Sequence, residues 1–422
     1  MSFLLITMME NGHQEPIKTK EIVIFHVFFD NLFFDSISET YDSLSNVKNL
    51  YYYYPQYSPK FEKIKNTSKI KLLQNEKEYL NYLKDPKIDV ILFHSLNSIF
   101  YKFFKYIDRK KLVIWWAWGY DLYNTIYTFR PLIHIPNMVK PITLQYMTSH
   151  TRKQHQNNSD RLFFRIKTEI INPYIRAKKF AKNIYHYFIQ KNVLSRIDMF
   201  YSPLEIEYDY LKSSQKTFRA TQLMDPHRDR VWEFRFHQTP KNILIGHSLT
   251  YTDNHLEIFI QLKNIKIDSE RKYIIPVNYG IANDYDNNPD NLIKECPLQE
   301  KQLMWIKEIM PFNEYQQVIG SVTHAIIGVV RQQALGNIYM CIRSGVKVFL
   351  YKDSMVYKEL KKKGYIIFSI EDDLNEDSLN SVLTEEEARF NFELFKDFYL
   401  DNRFEFRDKI EQALEKRCSN YK

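Results

Sequence analysis

The sequence predicts an α/β fold of two Rossmann-like domains that face a cleft. Apolar runs of strand length alternate with helix-like stretches through most of the chain, a pattern typical of βα units and a parallel sheet. The chain has 422 residues, which is long for one core, so two domains of ordinary size are expected. A polar stretch with two X-Pro pairs, at residues 225–240, is the best linker between them.

Composition narrows the class of protein before any motif is considered. Hydrophobic residues make up 44% of the chain and charged residues 26%, as in a folded globular protein. The three cysteines, Cys296, Cys341 and Cys418, have no metal-ligand spacing and offer no disulfide framework. Neither a signal peptide nor an uncharged apolar run of about 18 residues is visible, so a cytoplasmic location without a spanning helix is expected.

Residues 1–235 are predicted to form the first domain. Its strands would be six apolar runs, at residues 21–30, 48–54, 87–94, 111–118, 197–202 and 218–224. A helix-like stretch at residues 98–109 separates the third run from the fourth. Ligands of open α/β sheets lie outside the carboxyl ends of the strands, which places His94 and Asp121 at the mouth of the cleft. Asp121 would hold a ligand hydroxyl or take a proton there, or would only cap the next helix.

The positive charge of the chain is concentrated in residues 140–196. The formal net charge is +8, and this segment alone holds twelve Lys or Arg against two acidic residues. Apolar residues at steps of three or four from 163 to 188 form one helical stripe, with Pro173 near the start of a second helix. A basic face beside aromatic residues suits an anionic membrane surface, but a core-packed helix with a solvated basic face fits the pattern equally well. No recognition motif supports nucleic acid as a partner.

Residues 241–375 are predicted to form the second domain. Its first two strands would be the runs at 241–246 and 271–279, and its last strand the run at 365–369; Asp253 or Asn254 would cap the helix after the first. Residues 290–309 and 353–363 have helical patterns. The chain from 371 to 416 is helical in pattern throughout, and residues 376–422 could pack back on the first domain.

Glycine marks the second half as the place for a nucleotide. The chain has nine glycines, and seven of them lie between residues 246 and 364, mostly at strand or helix ends. Residues this scarce are expected where only glycine fits, such as a tight turn or a backbone close to a ligand.

Residues 322–351 combine two apolar runs with a polar turn between them. The turn contains Arg331, Gln332 and Gln333, followed by Gly336 and Asn337 at the start of a helix-like segment. A guanidinium, two amides and free backbone N–H groups would meet at a helix N-terminus, where an anionic group is stabilised. We interpret this stretch as the phosphate-facing part of a nucleotide-sugar site. Neither G-x-G-x-x-G nor a P-loop occurs, which disfavours dinucleotide oxidoreductases and P-loop enzymes.

Five short motifs resemble those of a known family. They are Phe93-His94-Ser95-Leu96, Trp118-Gly119-Tyr120-Asp121-Leu122-Tyr123, Gly246-His247-Ser248 with Asn254-His255, Met310-Pro311-Phe312-Asn313-Glu314-Tyr315 and Arg331-Gln332-Gln333-Ala334-Leu335-Gly336-Asn337. With them the chain resembles glycosyltransferase family 56, which transfers 4-acetamido-4,6-dideoxy-D-galactose from its TDP-sugar to a lipid-linked disaccharide. The resemblance implies a GT-B fold, no metal or other cofactor, and peripheral attachment to the cytoplasmic face of the bacterial inner membrane.

The resemblance also implies roles for single residues on the donor side. Arg331 and the N–H groups near Gly336 would stabilise the leaving diphosphate. The loop after the first strand would contact phosphate or sugar, the segment from Met310 to Tyr315 would line the base pocket, and Glu314 or the two glutamines would bind hydroxyls. The predicted donor-binding residues are Gly246, His247, Ser248, Asn254, Met310, Phe312, Glu314, Gln332, Gln333, Gly336 and Asn337.

On the acceptor side the resemblance implies that Asp121 and His94 face the lipid-linked oligosaccharide. Together with Arg331 they are the predicted catalytic residues. If the product linkage matches that of the family, the reaction is retaining and needs no strong general base. Structural roles account for some of these residues as well: Glu314 would be a first-turn helix acid, and Gln333 a helix surface residue.

Three positions depart from the family pattern. Ala334 and Asn337 stand where the family usually has a second Gly and a Thr, and His247 stands in place of an Asn. A different donor sugar is expected to be specified at such positions. Two other functions fit the same patterns: a non-catalytic protein that binds a sugar nucleotide or a partner in the cleft, and an epimerase-like enzyme acting on the sugar nucleotide alone.

Overall fold

Two parallel β-sheets form the framework of the computed structural model. The structure describes residues 20–28, 34–53, 64, 66–123, 132–156, 173–227, 232–278, 280, 285 and 288–420. The first sheet lies before residue 225 and the second after residue 241. The described part of the segment between them, 225–227 and 232–240, contains neither helix nor strand.

Within the described residues the first sheet has seven strands. In chain order they are β1 (Ile22–Phe28), β2 (Val47–Tyr53), β3 (Ile70–Leu72), β4 (Val90–His94), β5 (Leu112–Trp116), β6 (Met199–Tyr201) and β7 (Thr221–Gln222). Their order across the sheet is β3-β2-β1-β4-β5-β6-β7. The direction of winding reverses between β1 and β4, so a crevice opens there at the carboxyl ends.

Five helices and two 3₁₀ helices lie in the described part of the first half. They are α1 (Phe34–Asp42), α2 (Glu76–Lys84), α3 (Pro141–Gln156), α4 (Pro173–Arg196) and α5 (Glu205–Ser214), with 3₁₀ helices at Thr67–Lys69 and Ser98–Tyr106. Central strands are buried on both faces, which explains why they are apolar without alternation. Phe25 and Phe93 pack on one face, and their chain neighbours Ile24 and Leu92 pack on the other.

The second sheet repeats the arrangement with six described strands. They are β8 (Asn242–Ile245), β9 (Tyr273–Pro276), β10 (Leu303–Ile306), β11 (Val322–Ile327), β12 (Lys347–Leu350) and β13 (Phe368–Ser369). Their order is β10-β9-β8-β11-β12-β13, which places the second switch point between β8 and β11. The helices are α6 (His255–Lys263), α7 (Pro289–Ile293), α8 (Phe312–Gly320), α9 (Leu335–Arg343) and α10 (Met355–Lys362), with 3₁₀ helices at Tyr251–Asp253 and Glu300–Gln302.

Three C-terminal helices connect the two halves. They are α11 (Glu376–Leu379), α12 (Glu385–Phe398) and α13 (Arg403–Asn420). α12 packs against α9 of the second half. In α13, the Phe406 ring meets the Tyr41 ring of the first half edge-on, with centroids 5.6 Å apart. The chain therefore returns to the first sheet at its C-terminus.

The insert at residues 140–196 contacts both halves. α3 begins at Pro141 and packs on α6 of the second half. The Glu257 carboxylate accepts the N–H groups of Ile142 and Thr143 at 2.7 and 2.9 Å, a favourable place for an anion at a helix N-terminus. α4 packs instead on the 3₁₀ helix at Ser98–Tyr106 of the first half. Pro173 is the first residue of α4, which confirms the predicted helix start, whereas residues 157–172 lie outside the described part.

Most predicted strands are confirmed, but three predicted helices are wrong in part. Residues 290–309 contain the short α7 and the edge strand β10, whose half-exposed residues mimic helical spacing. The stretch at 98–109 is a 3₁₀ helix over Ser98–Tyr106. The stretch at 371–416 is interrupted between α11 and α12 and again between α12 and α13.

Candidate active site

The second sheet ends in two glycines at its switch point. Gly246 follows β8 with φ +65°, and a side chain there would overlap His255 Nε2. Gly328 follows β11, and a Cβ atom there would overlap the carbonyl oxygen of Asp253. Only glycine allows the loop after β8 to pack this closely on the end of β11. The structure thus places Gly246, a predicted donor-binding residue, beneath that loop.

Asp253 organises the loop after β8. Its Oδ2 accepts the backbone N–H and the hydroxyl of Ser248 at 3.0 and 2.7 Å, and its Oδ1 lies 2.7 Å from His247 Nδ1. Burial favours a higher pKa for Asp253, but His247 and these hydrogen bonds outweigh it, so the pKa is lowered. Asp253 and Ser248 are fully buried. They shape the loop. The loop in turn places His247, a predicted donor-binding residue, next to Gln333 in the turn after β11.

Asn254 ties the loop to the rest of the site. It has φ +52° and precedes α6, but its side chain does not cap that helix. Its Nδ2 donates to the Gly328 carbonyl at 2.7 Å, and its Oδ1 accepts the backbone N–H of Lys140 at 2.7 Å. Asn254 therefore occupies the predicted cap position of α6, but its side chain makes no capping hydrogen bond. The amide joins the end of β11 to the start of the insert.

Gln333 is not an ordinary surface residue. Its Oε1 accepts the Thr252 hydroxyl at 2.8 Å, and its Nε2 donates to the Thr250 hydroxyl at 3.0 Å. Nε2 also lies 3.3 Å from His247 Nε2. The turn after β11 and the loop after β8 therefore form one network of amide and hydroxyl groups. Small shifts in this network would reposition the start of α9.

The start of α9 presents open backbone. Ala334 precedes the helix with φ +61°. Ile338 is the first residue whose N–H bonds back into the helix, to Ala334 O at 2.9 Å, so the preceding N–H groups are available to an anion. Gly336 is exposed, and a Cβ atom built on it has nothing within 4 Å. Asn337, half-buried, follows it. This is the feature that the sequence predicted as an anion site.

Arg331 and Gln332 lie at the seam between the two halves. Both are more than nine-tenths buried, with Arg331 8% and Gln332 5% exposed. Gly119, at the turn after β5, has φ +84°, and a Cβ atom there would lie 2.7 Å from the Gln332 carbonyl oxygen. Two motifs far apart in sequence therefore touch across the seam.

Asp121 supports that turn instead of facing the cleft. Its Oδ2 accepts the backbone N–H of Leu96 and the indole N–H of Trp115, both at 2.7 Å, and its Oδ1 accepts the backbone N–H of Trp118 at 2.9 Å. The carboxylate is fully buried. Burial raises its pKa, while these three donors act in the opposite direction. The prediction that Asp121 faces the acceptor is corrected, because its carboxylate oxygens serve the fold.

His94 ends β4 beside the switch point of the first sheet. Asn49 Nδ2 donates to the Tyr41 carbonyl at 2.8 Å, which leaves Asn49 Oδ1 to accept from His26 Nε2 at 3.0 Å. His26 Nδ1 is then an acceptor for His94 Nε2, 2.9 Å away. His94 Nδ1 is left as a bare acceptor without a hydrogen-bond partner among the described residues. Burial lowers the pKa of both rings, to about 4 for His26, so both are neutral.

Aromatic rings surround His94 at this edge. The Trp116 ring centroid lies 5.0 Å from that of His94 and 5.5 Å from that of Tyr201. Trp118 lies 6.1 Å from Trp116. Trp116, Trp118 and Tyr201 are partly exposed, whereas His94 is 1% exposed. We call these three partly exposed rings the aromatic wall.

The predicted base-pocket residues lie apart from the amide network. Met310 is half-buried and Glu314 is exposed in the first turn of α8. The Phe312 side chain is 66% exposed. α8 packs on α9, which brings this segment next to the anion site. The position of Glu314 fits a first-turn helix acid and a hydroxyl-binding residue alike.

Sequence reasoning missed several residues that build the site. His26 and Asn49 carry the hydrogen bonds of His94, and Glu207 is a fully buried acid behind the seam. A signal existed for His26, since a histidine inside an apolar strand must find a partner. Glu207 gave no such signal, because it lies in a polar stretch.

Among the helices that the structure describes, none combines the length and the apolar character that crossing a membrane requires. Within the same ranges, His, Cys, Asp and Glu side chains form no group of three that could hold a metal ion.

Comparison with solved structures assigns the fold. The HepE protein of Anabaena, in complex with UDP and glucose, superposes with a TM-score of 0.55 over 94% of this chain and 100% of its own, at 7% identity. The trehalose-phosphate synthase (UDP-forming) of Burkholderia vietnamiensis gives a TM-score of 0.53 over 94% and 100% of the chains, at 8% identity. The N-terminal domain of the Candida albicans trehalose-6-phosphate phosphatase gives 0.55 over 96% and 97%, at 8% identity. A search of curated protein sequences finds no significant match.

The two facing Rossmann-like halves, each with its switch point, have the GT-B fold that the sequence predicted. The protein is a glycosyltransferase. A family model described as 4-alpha-L-fucosyltransferase glycosyl transferase group 56 matches residues 174–391, half of the chain. The chain belongs to that family.

Proposed function

We propose that this glycosyltransferase moves a deoxy-amino sugar, 4-acetamido-4,6-dideoxy-D-galactose or a similar one, from a TDP-sugar to a polyprenyl-diphosphate-linked oligosaccharide. Residues 241–375 bind the donor, and residues 1–235 bind the acceptor at the cytoplasmic face of the bacterial inner membrane. The pathway is the synthesis of a cell-envelope polysaccharide.

The observation that carries the donor assignment is the open backbone at the start of α9. The bare Gly336 and unused N–H groups suit the diphosphate. Arg331, in the turn just before them, adds positive charge to this part of the site, and its Nη1 donates to the Gln332 carbonyl at 3.1 Å. A diphosphate is the leaving group of the reaction, and its charge grows as the sugar departs. Donors fixed beforehand stabilise that charge without reorganising. The solved complex of HepE with UDP and glucose supports a nucleotide-sugar donor for a chain of this fold.

The amide network is where donor preference would be set. Gln333, Thr250 and Thr252 present amide and hydroxyl groups to the same region as His247. Such groups discriminate between sugars by hydrogen bonding, because a site built around a hydroxyl or amide rejects a sugar that lacks the partner group. The departure from the family at His247 lies within this network. Asn337 lies nearby, at the start of α9.

The acceptor assignment depends on the chemistry of the first-sheet edge. The aromatic wall offers flat apolar surface, which suits the C–H faces of a sugar ring. His94 Nδ1 is a buried atom and an acceptor only, so a group that reached it would be a hydroxyl and not a phosphate. This edge is thus suited to the neutral sugars of an acceptor. Asp121 does not act as a base here; its part is to hold the turn in place.

Membrane attachment is supported by one face of α4. Ile184, Tyr185 and Phe188 are 40%, 63% and 57% exposed, although Ile184 and Phe188 belong to the predicted apolar stripe. Exposed apolar side chains within the basic insert suit an anionic lipid surface. Phe188→Ser is expected to weaken binding to phosphatidylglycerol vesicles, whereas Phe390→Ser, at a 48% exposed ring on α12, is not. The side chains of Lys178, Lys179 and Lys182 lie outside the described residues.

The direct test is a panel of nucleoside diphosphates and their sugars. We expect TDP to raise the melting temperature more than UDP or GDP, and a TDP-deoxy-amino sugar to be consumed only when a polyprenyl-diphosphate oligosaccharide is present. Conversion of the sugar nucleotide without acceptor would indicate an epimerase. No stabilisation by any nucleotide would contradict the proposal.

A further inference from the structure

The turn after β5 reaches from the first half into the second. Gly119 begins it, and the backbone N–H groups of Leu122 and Tyr123 bond to the Gly119 carbonyl at 2.9 and 3.0 Å. Asp121 closes it from inside by accepting three hydrogen bonds. The turn is therefore rigid, and its two ends meet the same residue of the second half, Gln332.

One contact is steric. A Cβ atom on Gly119 would lie 2.7 Å from the Gln332 carbonyl oxygen and 3.1 Å from Gln332 Oε1. The backbones of the two halves are in direct contact there. Any side chain at position 119 would push the turn that carries Arg331 away from the first half.

The second contact is a buried hydrogen-bond chain. The Tyr123 hydroxyl donates to Glu207 Oε1 at 2.5 Å, and the Ser202 hydroxyl donates to Glu207 Oε2. The Gln332 main chain and the Arg331 charge both lie close enough to the Tyr123 hydroxyl to lower its pKa. Burial raises the pKa of Tyr123, Glu207 adds to the rise, and Arg331 and Gln332 oppose it. Burial likewise raises the pKa of Glu207, to about 8.

The direction of the hydrogen bond from Tyr123 to Glu207 fixes how the Tyr123 hydroxyl faces the second half. A tyrosine hydroxyl has one hydrogen to donate. Glu207 takes it, so the lone pairs of the hydroxyl are left to interact with the Gln332 main chain and the Arg331 charge nearby. Tyr123 and Glu207 are both fully buried, and hydrogen bonds in such a place are costly to leave unmade.

We propose that the turn at residues 118–123, with Glu207 behind it, is a clamp by which the first half positions the Arg331–Gln332 turn for the donor diphosphate. Tyr123 and Glu207 are positioning residues, because they act through Gln332 and Arg331. The proposal is based on the proposed function of the donor site. It means that the donor site is incomplete without the first half of the chain.

The test measures TDP affinity by calorimetry and steady-state transfer in parallel. Tyr123→Phe keeps the ring and removes the hydroxyl, and it is expected to weaken TDP binding roughly three- to tenfold, the effect of one hydrogen bond, while the KM for acceptor stays unchanged. Tyr79→Phe is the matched control, since Tyr79 is a fully buried tyrosine in the core of the first sheet. It should leave the TDP affinity unchanged.

A double-mutant cycle and a conservative variant separate positioning from general stability. In an Arg331→Ala background, Tyr123→Phe should have a smaller effect on TDP affinity than in the wild type, because the two act as one unit. Glu207→Leu should weaken TDP binding more than Glu207→Gln, whose amide oxygen can still accept from Tyr123.

Two outcomes would contradict the clamp, and they distinguish its failure from the failure of the proposed function. If the wild type binds TDP and Tyr123→Phe binds it equally well with an unchanged melting temperature, the clamp alone is wrong. If the wild type binds no nucleoside diphosphate, the proposed function fails and the clamp fails with it. Additive effects in the double-mutant cycle would also contradict a shared action.

Discussion

The two switch points of the molecule have the same topology and opposite chemistry. At the first sheet, the edge carries the aromatic wall and a neutral imidazole, His94, that can only accept a hydrogen bond. At the second sheet, the edge carries Arg331, an amide and hydroxyl network and the bare Gly336 at the start of α9. The difference shows that topology determines where ligands bind, and side chains determine which ligand. One edge suits neutral sugar and the other suits charged diphosphate.

The strongest test of this difference removes the positive charge at the second edge. Arg331→Ala is expected to lower kcat about 10²- to 10³-fold, the usual effect of losing one donor to developing negative charge. The matched control is Arg343→Ala at the other end of α9, where the guanidinium packs 4.8 Å from the centre of the Trp232 ring. Transfer assays measure kcat for both variants, and the melting temperature of each variant is measured in parallel. A loss of fold in Arg331→Ala as large as the loss of transfer would contradict the role of Arg331.

The next test fills the open space at the anion site. Gly336→Ala adds a methyl group where no atom lies within 4 Å, inside a helix that prefers alanine by about 1 kcal/mol. The protein should become slightly more stable, yet bind TDP at least tenfold more weakly, because about 1.4 kcal/mol of lost contact suffices. Gly320→Ala is the control, since it ends α8 and a Cβ atom there meets only Arg235, at 3.5 Å. An unchanged TDP affinity in Gly336→Ala would show that the diphosphate does not bind at the start of α9.

A third test addresses the first edge alone. Trp116→Leu removes the central ring of the aromatic wall and is expected to raise the KM for acceptor roughly fivefold, from the loss of one aromatic contact. TDP affinity should not change. Trp305→Leu, at a half-buried position on the edge strand β10, serves as control. If Trp116→Leu weakened the donor and left the acceptor unaffected, the assignment of the two edges would be reversed.

The smallest effect concerns stability near neutral pH. The pKa of Glu207 is about 8 in the folded protein against an ordinary value of 4.5, because the group is buried. A raised carboxyl pKa contributes stability that is complete below pH 4.5 and is lost as the pH rises through 8. The stability of Glu207→Gln relative to wild type should therefore increase between these two values by at most about 1.4 kcal/mol per pH unit. Urea unfolding at about pH 5, 7 and 9 checks this, and a pH-independent difference would contradict the raised pKa.

Much of the framework was predictable because buried strands leave a plain pattern in the sequence. The central strands are buried on both faces, so they appear as uninterrupted apolar runs such as Leu112–Trp116. The turn from Arg331 to Asn337 was predictable as well, since a polar cluster between two apolar runs is typical of a loop at a strand end. The edge strand β10 was missed because Leu303–Ile306 is only partly buried, and partial burial gives the alternation of a short helix.

The remaining parts of the site depend on contacts between distant residues. His26 and His94 are 68 positions apart, and Tyr123 and Glu207 are 84 positions apart. No local pattern encodes such pairs. Asp121 was placed at the correct turn but with the wrong role, because sequence shows that a carboxylate follows a strand and does not show whether solvent or backbone N–H groups surround it. The fold decides that question.

Amide hydrogen exchange with mass spectrometry tests the central claim most directly, because it reports on both edges in one sample. With saturating TDP, we expect slower exchange at residues 331–340, around the open N–H groups of α9, and no change at residues 90–97 of the first edge. Addition of acceptor should then slow exchange at 90–97. Protection of residues 90–97 by TDP alone, with residues 331–340 unaffected, would contradict the assignment of diphosphate to the second edge and sugar to the first.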